Sequence, residues 1–208
     1  MSISGARFAG LVGMAGGLLF TFYFIGLNAL LKLLDSPFGP ETVSATKMLV
    51  SCLASLCMAG GLVGLLTLGA AGTGWRKMLA ITGTVIALLG LTSYIVGSLY
   101  IYSFPEKAFR QFFTPGGSIL LTLGLLLLAA AVLTAGRWRG WRAFMPLLTA
   151  LYFPLQFPIQ AVFFLGAGKG PSPVLLGVWG IFWLLLGYAV WSGAHHFTPT
   201  RLTPEKHT

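Results

Sequence analysis

Apolar residues in this chain occur in long unbroken blocks rather than in the short alternating or amphipathic runs of soluble proteins. Crossing a hydrocarbon core about 30 Å thick takes roughly 20 helical residues, and six blocks are about that long. They cover approximately residues 8–33, 47–70, 78–103, 117–135, 144–165 and 174–193. The pattern predicts an all-α polytopic membrane protein, a bundle of six transmembrane helices arranged as three hairpins.

Composition supports this interpretation. Of the 208 residues, 56% are hydrophobic and only 8% are charged, against about 25% charged in an average soluble domain. A soluble fold of this length needs a charged surface that these residues cannot provide. The segments between the blocks are too short for a second domain. We therefore expect one transmembrane domain over residues 1–193 and a polar cytoplasmic tail over residues 194–208.

The charges flank the apolar blocks and are unequal on the two sides of the predicted bundle. One side carries eight basic residues against Glu205: Arg7, Arg76, Lys77, Arg137, Arg139, Arg142, Arg201 and Lys206. The other side carries five basic residues and three acidic ones: Lys32, Lys47, Lys107, Arg110 and Lys169 with Asp35, Glu41 and Glu106. Because short cytoplasmic loops are enriched in Lys and Arg, we expect both termini in the cytoplasm and the protein in the cell (inner) membrane.

The same placement accounts for the net charge of +9 without a nucleic-acid partner. Membrane lipids are the expected partners, and the basic segment Arg137–Arg142 is expected to attract anionic headgroups. Other membrane subunits are a further expected class of partner.

Glycine is abundant, with 28 residues, and many recur at intervals of four or seven. Helices in lipid associate through close backbone contact, so such rows indicate helix–helix seams. The seams could close the bundle internally or bind another subunit, and the sequence leaves both open. The residues concerned are Gly13, Gly17, Gly60, Gly64, Gly83, Gly90, Gly97, Gly180 and Gly187.

Charged side chains are absent from the middle of every predicted span; Lys32, at the end of the first span, comes nearest. This disfavours ion-coupled transporters, proton pumps and voltage sensors, which place such groups within the membrane. The sequence contains no GxSxG serine motif, no HExxH and no paired aspartates. We predict no catalytic residues, no metal ligands and no cofactor, and therefore not an enzyme.

The fifth span is the exception to this apolar pattern. Tyr152, Gln156 and Gln160 are four residues apart, so on a helix they form one polar ridge about 12 Å long. Pro154 and Pro158 are also four apart, on roughly the opposite face. Each proline removes a backbone donor, and we expect the span to be kinked and to face protein or a cavity on more than one side.

Two interpretations of this ridge remain open. It is either a set of helix–helix hydrogen bonds or one wall of a partly polar pocket for a neutral ligand. In the second case, Asn28 would complete the polar lining, and the apolar walls would come from Phe153, Phe157 and Trp183. The predicted ligand-binding residues are Asn28, Tyr152, Gln156, Gln160 and Trp183.

Three functions follow from these features. The first is a non-catalytic binding or permease-like module for a lipid or small neutral amphiphile beside the fifth span. The second is an accessory subunit that docks into a larger membrane complex through its glycine-rich faces. The third, an intramembrane enzyme, is least favoured. The length and helix count are similar to those of the substrate-binding subunits of vitamin-uptake transporters, a similarity of size and hydropathy from which no residue is assigned a role.

Overall fold

The chain folds into long helices. A computed structural model describes residues 3–27, 29–30, 40–103, 110–166, 168 and 172–194, and in this part of the chain it contains no β-strand. The helices are α1 Ile3–Thr21, α2 Pro40–Thr67, α3 Trp75–Ser103, α4 Arg110–Ala135, α5 Met145–Gln160 and α6 Pro173–Gly193. Two π-helical turns, Phe22–Gly26 and Ala161–Leu165, extend α1 and α5, and a 3-10 turn, Gly140–Phe144, precedes α5.

The predicted all-α bundle of six membrane-spanning helices is confirmed. Each helix, taken with the turns that extend α1 and α5, contains a segment long and apolar enough to cross a bilayer. The chain is therefore an integral membrane protein. α2 begins at Pro40 and α4 at Arg110, both seven residues before the predicted spans, because a helix continues through interfacial polar residues that a hydropathy pattern leaves out. The predicted tail from residue 195 onward lies outside the described residues.

The helices pack in chain order around a closed ring. Each helix contacts the next along the chain, and α6 packs against α1 to close the circle. Successive helices joined by short connections are antiparallel neighbours, so the ring consists of up–down pairs. The helix starts and loops that carry most arginines consequently lie at one end of the bundle.

Glycine allows α1 to lie in backbone contact with both of its neighbours. A Cβ atom on Gly10 would lie 2.6 Å from the backbone nitrogen of Trp191 in α6, and one on Gly13 would lie 2.9 Å from Cα of Gly61 in α2. No side chain larger than hydrogen fits at such a crossing. In lipid this close contact is what favours association, so α6, α1 and α2 form one tightly packed unit.

A second glycine seam joins α3 and α4. A Cβ on Gly83 would lie 2.7 Å from the carbonyl oxygen of Gly124, and one on Gly90 would lie 2.6 Å from the backbone nitrogen of Leu121. Gly97, further along α3, is also buried. These helices form the second tightly packed unit of the ring.

Eight of the nine glycines singled out from the sequence, all but Gly97, therefore lie in seams within the chain. Gly17, Gly180 and Gly187 lie in the α1–α6 seam, and Gly60 and Gly64 lie in the α1–α2 seam. Because these faces are occupied by helices of the same chain, a partner subunit would have to dock on another surface.

Aromatic side chains fill the centre of the ring toward the end where α6 begins. Trp179 of α6 is buried, and its ring lies 5.5 Å from Phe20, 6.5 Å from Tyr94 and 5.3 Å from Phe153. These neighbours belong to α1, α3 and α5. The Trp179 indole thus links four helices around one point.

We expect the α3–α4 seam to be intolerant of added volume. Gly90→Ala should lower the stability of the detergent-solubilised protein by about 1–3 kcal/mol, because overpacking forces two backbones apart. Gly116→Ala is the matched control: it lies in α4 with nothing within 4 Å of an added Cβ, and alanine is the better helix former. Thermal unfolding monitored by circular dichroism measures both, and equal behaviour of the two variants would contradict the close contact.

Candidate functional site

The polar ridge of α5 faces the protein. Gln156 and Gln160 are only 3% and 6% exposed, whereas Pro154 and Pro158 are exposed on the opposite side. As expected, α5 contacts protein on more than one side, because both α4 and α6 pack against it, but it is the least enclosed helix of the bundle. Only 22% of its membrane-crossing segment is buried, against 33–44% in the other five helices. The apolar proline rings face the surroundings, where they need no hydrogen-bond partner.

A chain of hydrogen bonds runs along the ridge to the start of α6. The backbone N–H of Ser172 donates to Oε1 of Gln160 at 2.8 Å, and Nε2 of Gln160 donates to Oε1 of Gln156 at 3.2 Å. Ser172 is itself the N-cap of α6, where its hydroxyl accepts from the backbone N–H of Leu175. Gln160 therefore positions the start of α6 and fixes the orientation of Gln156.

Gln156 ends this chain with an unused donor. Its oxygen accepts from Gln160, while its Nε2 group donates to none of the residues that the structure describes and, unlike the Trp183 indole nitrogen, is not fully enclosed. An amide in a buried position normally uses both of its ends. The site therefore offers one neutral N–H donor pair, held in place from the α6 side and within the membrane.

Other polar contacts between α5 and α6 leave their groups fully used. The Tyr152 hydroxyl donates to the carbonyl of Leu175 at 2.8 Å, and the Trp179 indole N–H donates to the carbonyl of Thr149 at 3.0 Å. The Thr149 hydroxyl is bonded to the carbonyl of Met145 at 2.8 Å. Tyr152 and Gln160 thus act in helix packing. Side-chain hydrogen bonds hold α5 to α6, whereas the α1–α2, α1–α6 and α3–α4 seams are held by close contact at glycine.

The remaining predicted lining residues are dispersed. Trp183 is 1% exposed in the core, and its indole nitrogen is enclosed without a hydrogen-bond partner among the described residues. In the antiparallel pairing of α5 and α6 it lies near the level of Thr149, away from Gln156. Phe153 packs on Trp179, whereas Phe157 is 60% exposed to the surroundings. Asn28 lies outside the described residues.

Sequence reasoning missed three residues that organise this region: Thr149, Ser172 and Trp179. Ser172 was detectable, because Ser followed by Pro at the start of an apolar run is a common helix N-cap signal. Thr149 and Trp179 gave no comparable signal. Their roles depend on the rotation of α5 against α6, which periodicity alone does not fix.

We expect the two glutamines to differ in their effect on stability. Gln160→Leu leaves the buried N–H of Ser172 without an acceptor, which costs about 1–3 kcal/mol. Gln156→Leu breaks only the longer bond and leaves the Gln160 amide in place on Ser172, so it should cost less than Gln160→Leu, which breaks both bonds. Reversible unfolding in mixed micelles measures the difference. Equal losses of stability, or a larger loss for Gln156→Leu, would contradict the assigned hydrogen bonds, in which Gln160 contacts both Ser172 and Gln156.

Within the described residues, no three His, Cys, Asp or Glu side chains lie close enough together to hold a metal ion. Cys52 and Cys57 are both free thiols. Comparisons with protein-family models, with curated proteins and with solved structures found no match to this chain.

Proposed function

We propose that this protein is a non-catalytic binding or permease-like module of the cell membrane that holds a neutral lipid or amphiphile beside α5. The observation that carries the proposal is the Nε2 group of Gln156, which donates no hydrogen bond within the described part of the chain. A donor in this position is satisfied by an acceptor oxygen, such as the carbonyl of an ester, amide or ketone.

The chemistry of the surroundings favours an uncharged ligand. The described basic side chains lie at the ends of the helices, and Gln156 lies within α5 among apolar residues. A charged group brought to this depth would lose its hydration without gaining a counter-charge. One acceptor oxygen on an apolar body is the composition that fits one neutral donor in an apolar setting.

Access from the bilayer is supported by the exposure of α5. Leu155, Phe157 and Ile159, which flank the glutamine in sequence, are between 46% and 64% exposed. A lipid chain lying along this surface would bring its polar end to the α5–α6 contact without crossing the packed centre of the ring. We propose this lateral route in preference to a path along the axis, which would meet Trp179.

The orientation of the bundle is part of the proposal. The end that carries Arg7, Arg76 and the Arg137–Arg142 loop would face the cytoplasm under the positive-inside rule. An accessory-subunit role is the second possibility from the sequence. The internal use of the glycine faces removes its main support.

The proposal predicts that ligand retention depends on the Gln156 amide. Gln156→Met keeps the length and flexibility of the side chain but removes both donors, so affinity for added diacylglycerol should fall about five- to tenfold, the value of one buried hydrogen bond. Native mass spectrometry of the protein released from micelles measures the bound fraction.

Phe8→Leu is the matched control, because this side chain is 68% exposed on α1, away from α5, and has no donor to lose. Its binding should equal that of the wild type. Unchanged binding in Gln156→Met, with the fold intact, would sink the pocket hypothesis and leave the ridge as helix packing.

A further inference from the structure

The loop between α4 and α5 is an ordered structure built from three arginines and two tryptophans. Gly136 and Gly140 both adopt positive φ, 63° and 65°, and turn the chain at the two ends of the segment Arg137–Arg139. The 3-10 turn Gly140–Phe144 then leads into α5. A short loop with two such turns presents its side chains in defined directions.

Both tryptophans fasten the loop to α6. Trp138 is only 6% exposed, and its ring lies against Gly193 at the end of α6. Trp141 stacks on Tyr188 with ring centroids 6.0 Å apart and planes 10° from parallel. Arg137 is occupied by a contact on the other side, where its Nη1 donates to the carbonyl of Gly69 at 3.2 Å.

Two donors in this loop have no acceptor among the described residues. The indole nitrogen of Trp138 and Nε of Arg142 are both enclosed and without a hydrogen-bond partner. Arg139, between them in sequence, is exposed. Buried donors without acceptors each cost stability. The Nε of Arg76 at the start of α3 is enclosed in the same way, but in this loop two such donors lie beside an exposed arginine, which marks the loop as a candidate anion site.

We propose that the Arg137–Arg142 loop is a binding site for the phosphate headgroup of an anionic phospholipid. The phosphate oxygens accept from the loop donors, and the guanidinium groups of Arg139 and Arg142 compensate the charge. A lipid fits better than a soluble anion because the loop lies at the membrane interface: Trp141 and Phe144 are 44% and 51% exposed beside it, in position to contact acyl chains.

General attraction of anionic lipid to the basic end of the bundle is a separate effect. Arg76 and Lys77 lie at the same end, at the start of α3, but outside the loop. Replacing them changes the net charge as much as replacing Arg139 and Arg142. If the loop is a specific site, lipid affinity falls more when Arg139 and Arg142 are replaced than when Arg76 and Lys77 are. If the attraction is diffuse, both replacements lower the affinity equally.

The test uses the full chain in mild detergent, titrated with phosphatidylglycerol or with phosphatidylcholine of the same acyl chains. Binding is measured by native mass spectrometry and by the lipid-induced rise in Tm. Arg139→Gln/Arg142→Gln should weaken phosphatidylglycerol binding roughly 30-fold, from two basic groups each worth about tenfold or less near an anionic headgroup. The control Arg76→Gln/Lys77→Gln should stay within about threefold of the wild type, since Lys77 is exposed and Arg76, half-buried over the ring of Trp75, lies outside the loop.

Trp138→Phe provides a second variant that keeps the ring against Gly193 and removes only the indole donor. Its Tm without lipid should equal or exceed that of the wild type, because an unpaired buried donor is lost. Its affinity for phosphatidylglycerol should fall about tenfold, the value of a hydrogen bond to a charged acceptor.

The outcomes are separable. Equal loss in both double variants would show diffuse attraction and overturn the site, as would undiminished binding in the loop variant and in Trp138→Phe. If excess inorganic phosphate displaces phosphatidylglycerol, and the affinity does not depend on the acyl chains, the loop binds a soluble anion. That result would contradict the proposal of a lipid ligand.

Discussion

The structure depends on how closely two helix backbones can approach each other in lipid. In that solvent the hydrophobic effect does not drive apolar side chains together. Lipid tails are as apolar as leucine, so packing contact must hold the helices together. Glycine supplies that contact at Gly13 and Gly61, where three helices meet, and at Gly83 and Gly124 in the second seam. Two units result, α6–α1–α2 and α3–α4, and they account for five of the six helices.

The helix outside these units is the one with the unusual sequence. α5 carries two exposed prolines, buries the smallest share of its length and is joined to α6 by side-chain hydrogen bonds. Like α1, it ends in a π-helical turn. Helices that lack a close-packed seam have less to lose when they shift, and π-helical turns often accompany functional sites. The unused amide of Gln156 therefore lies in the least constrained part of the ring, where a ligand from the bilayer would find both a donor and a surface.

Much of the fold could be predicted because its determinants are local. Long apolar blocks and the spacing of Gly83, Gly90 and Gly97 are visible in the sequence, and so is the ridge of Tyr152, Gln156 and Gln160. The sequence does not show which neighbour each side chain contacts. Whether a glycine row faces a neighbouring helix or a foreign subunit, and whether a glutamine bonds to its own helix, to α6 or to a ligand, depends on helix rotation. Rotation is set by all neighbours together, so the exposure of Pro154 and Phe157 could not be derived from α5 alone.

Within the hydrocarbon, every polar group must find a partner in the protein or in what it binds, and the account rests on the Gln156 amide finding its partner outside the protein. Nuclear Overhauser spectroscopy on perdeuterated protein with protonated side-chain amides, in protonated lipid, observes this directly. We expect cross-peaks from the Nε2 protons of Gln156 to lipid or to a retained ligand. Cross-peaks to protein protons alone would contradict the account and show that the amide is fully used in helix packing.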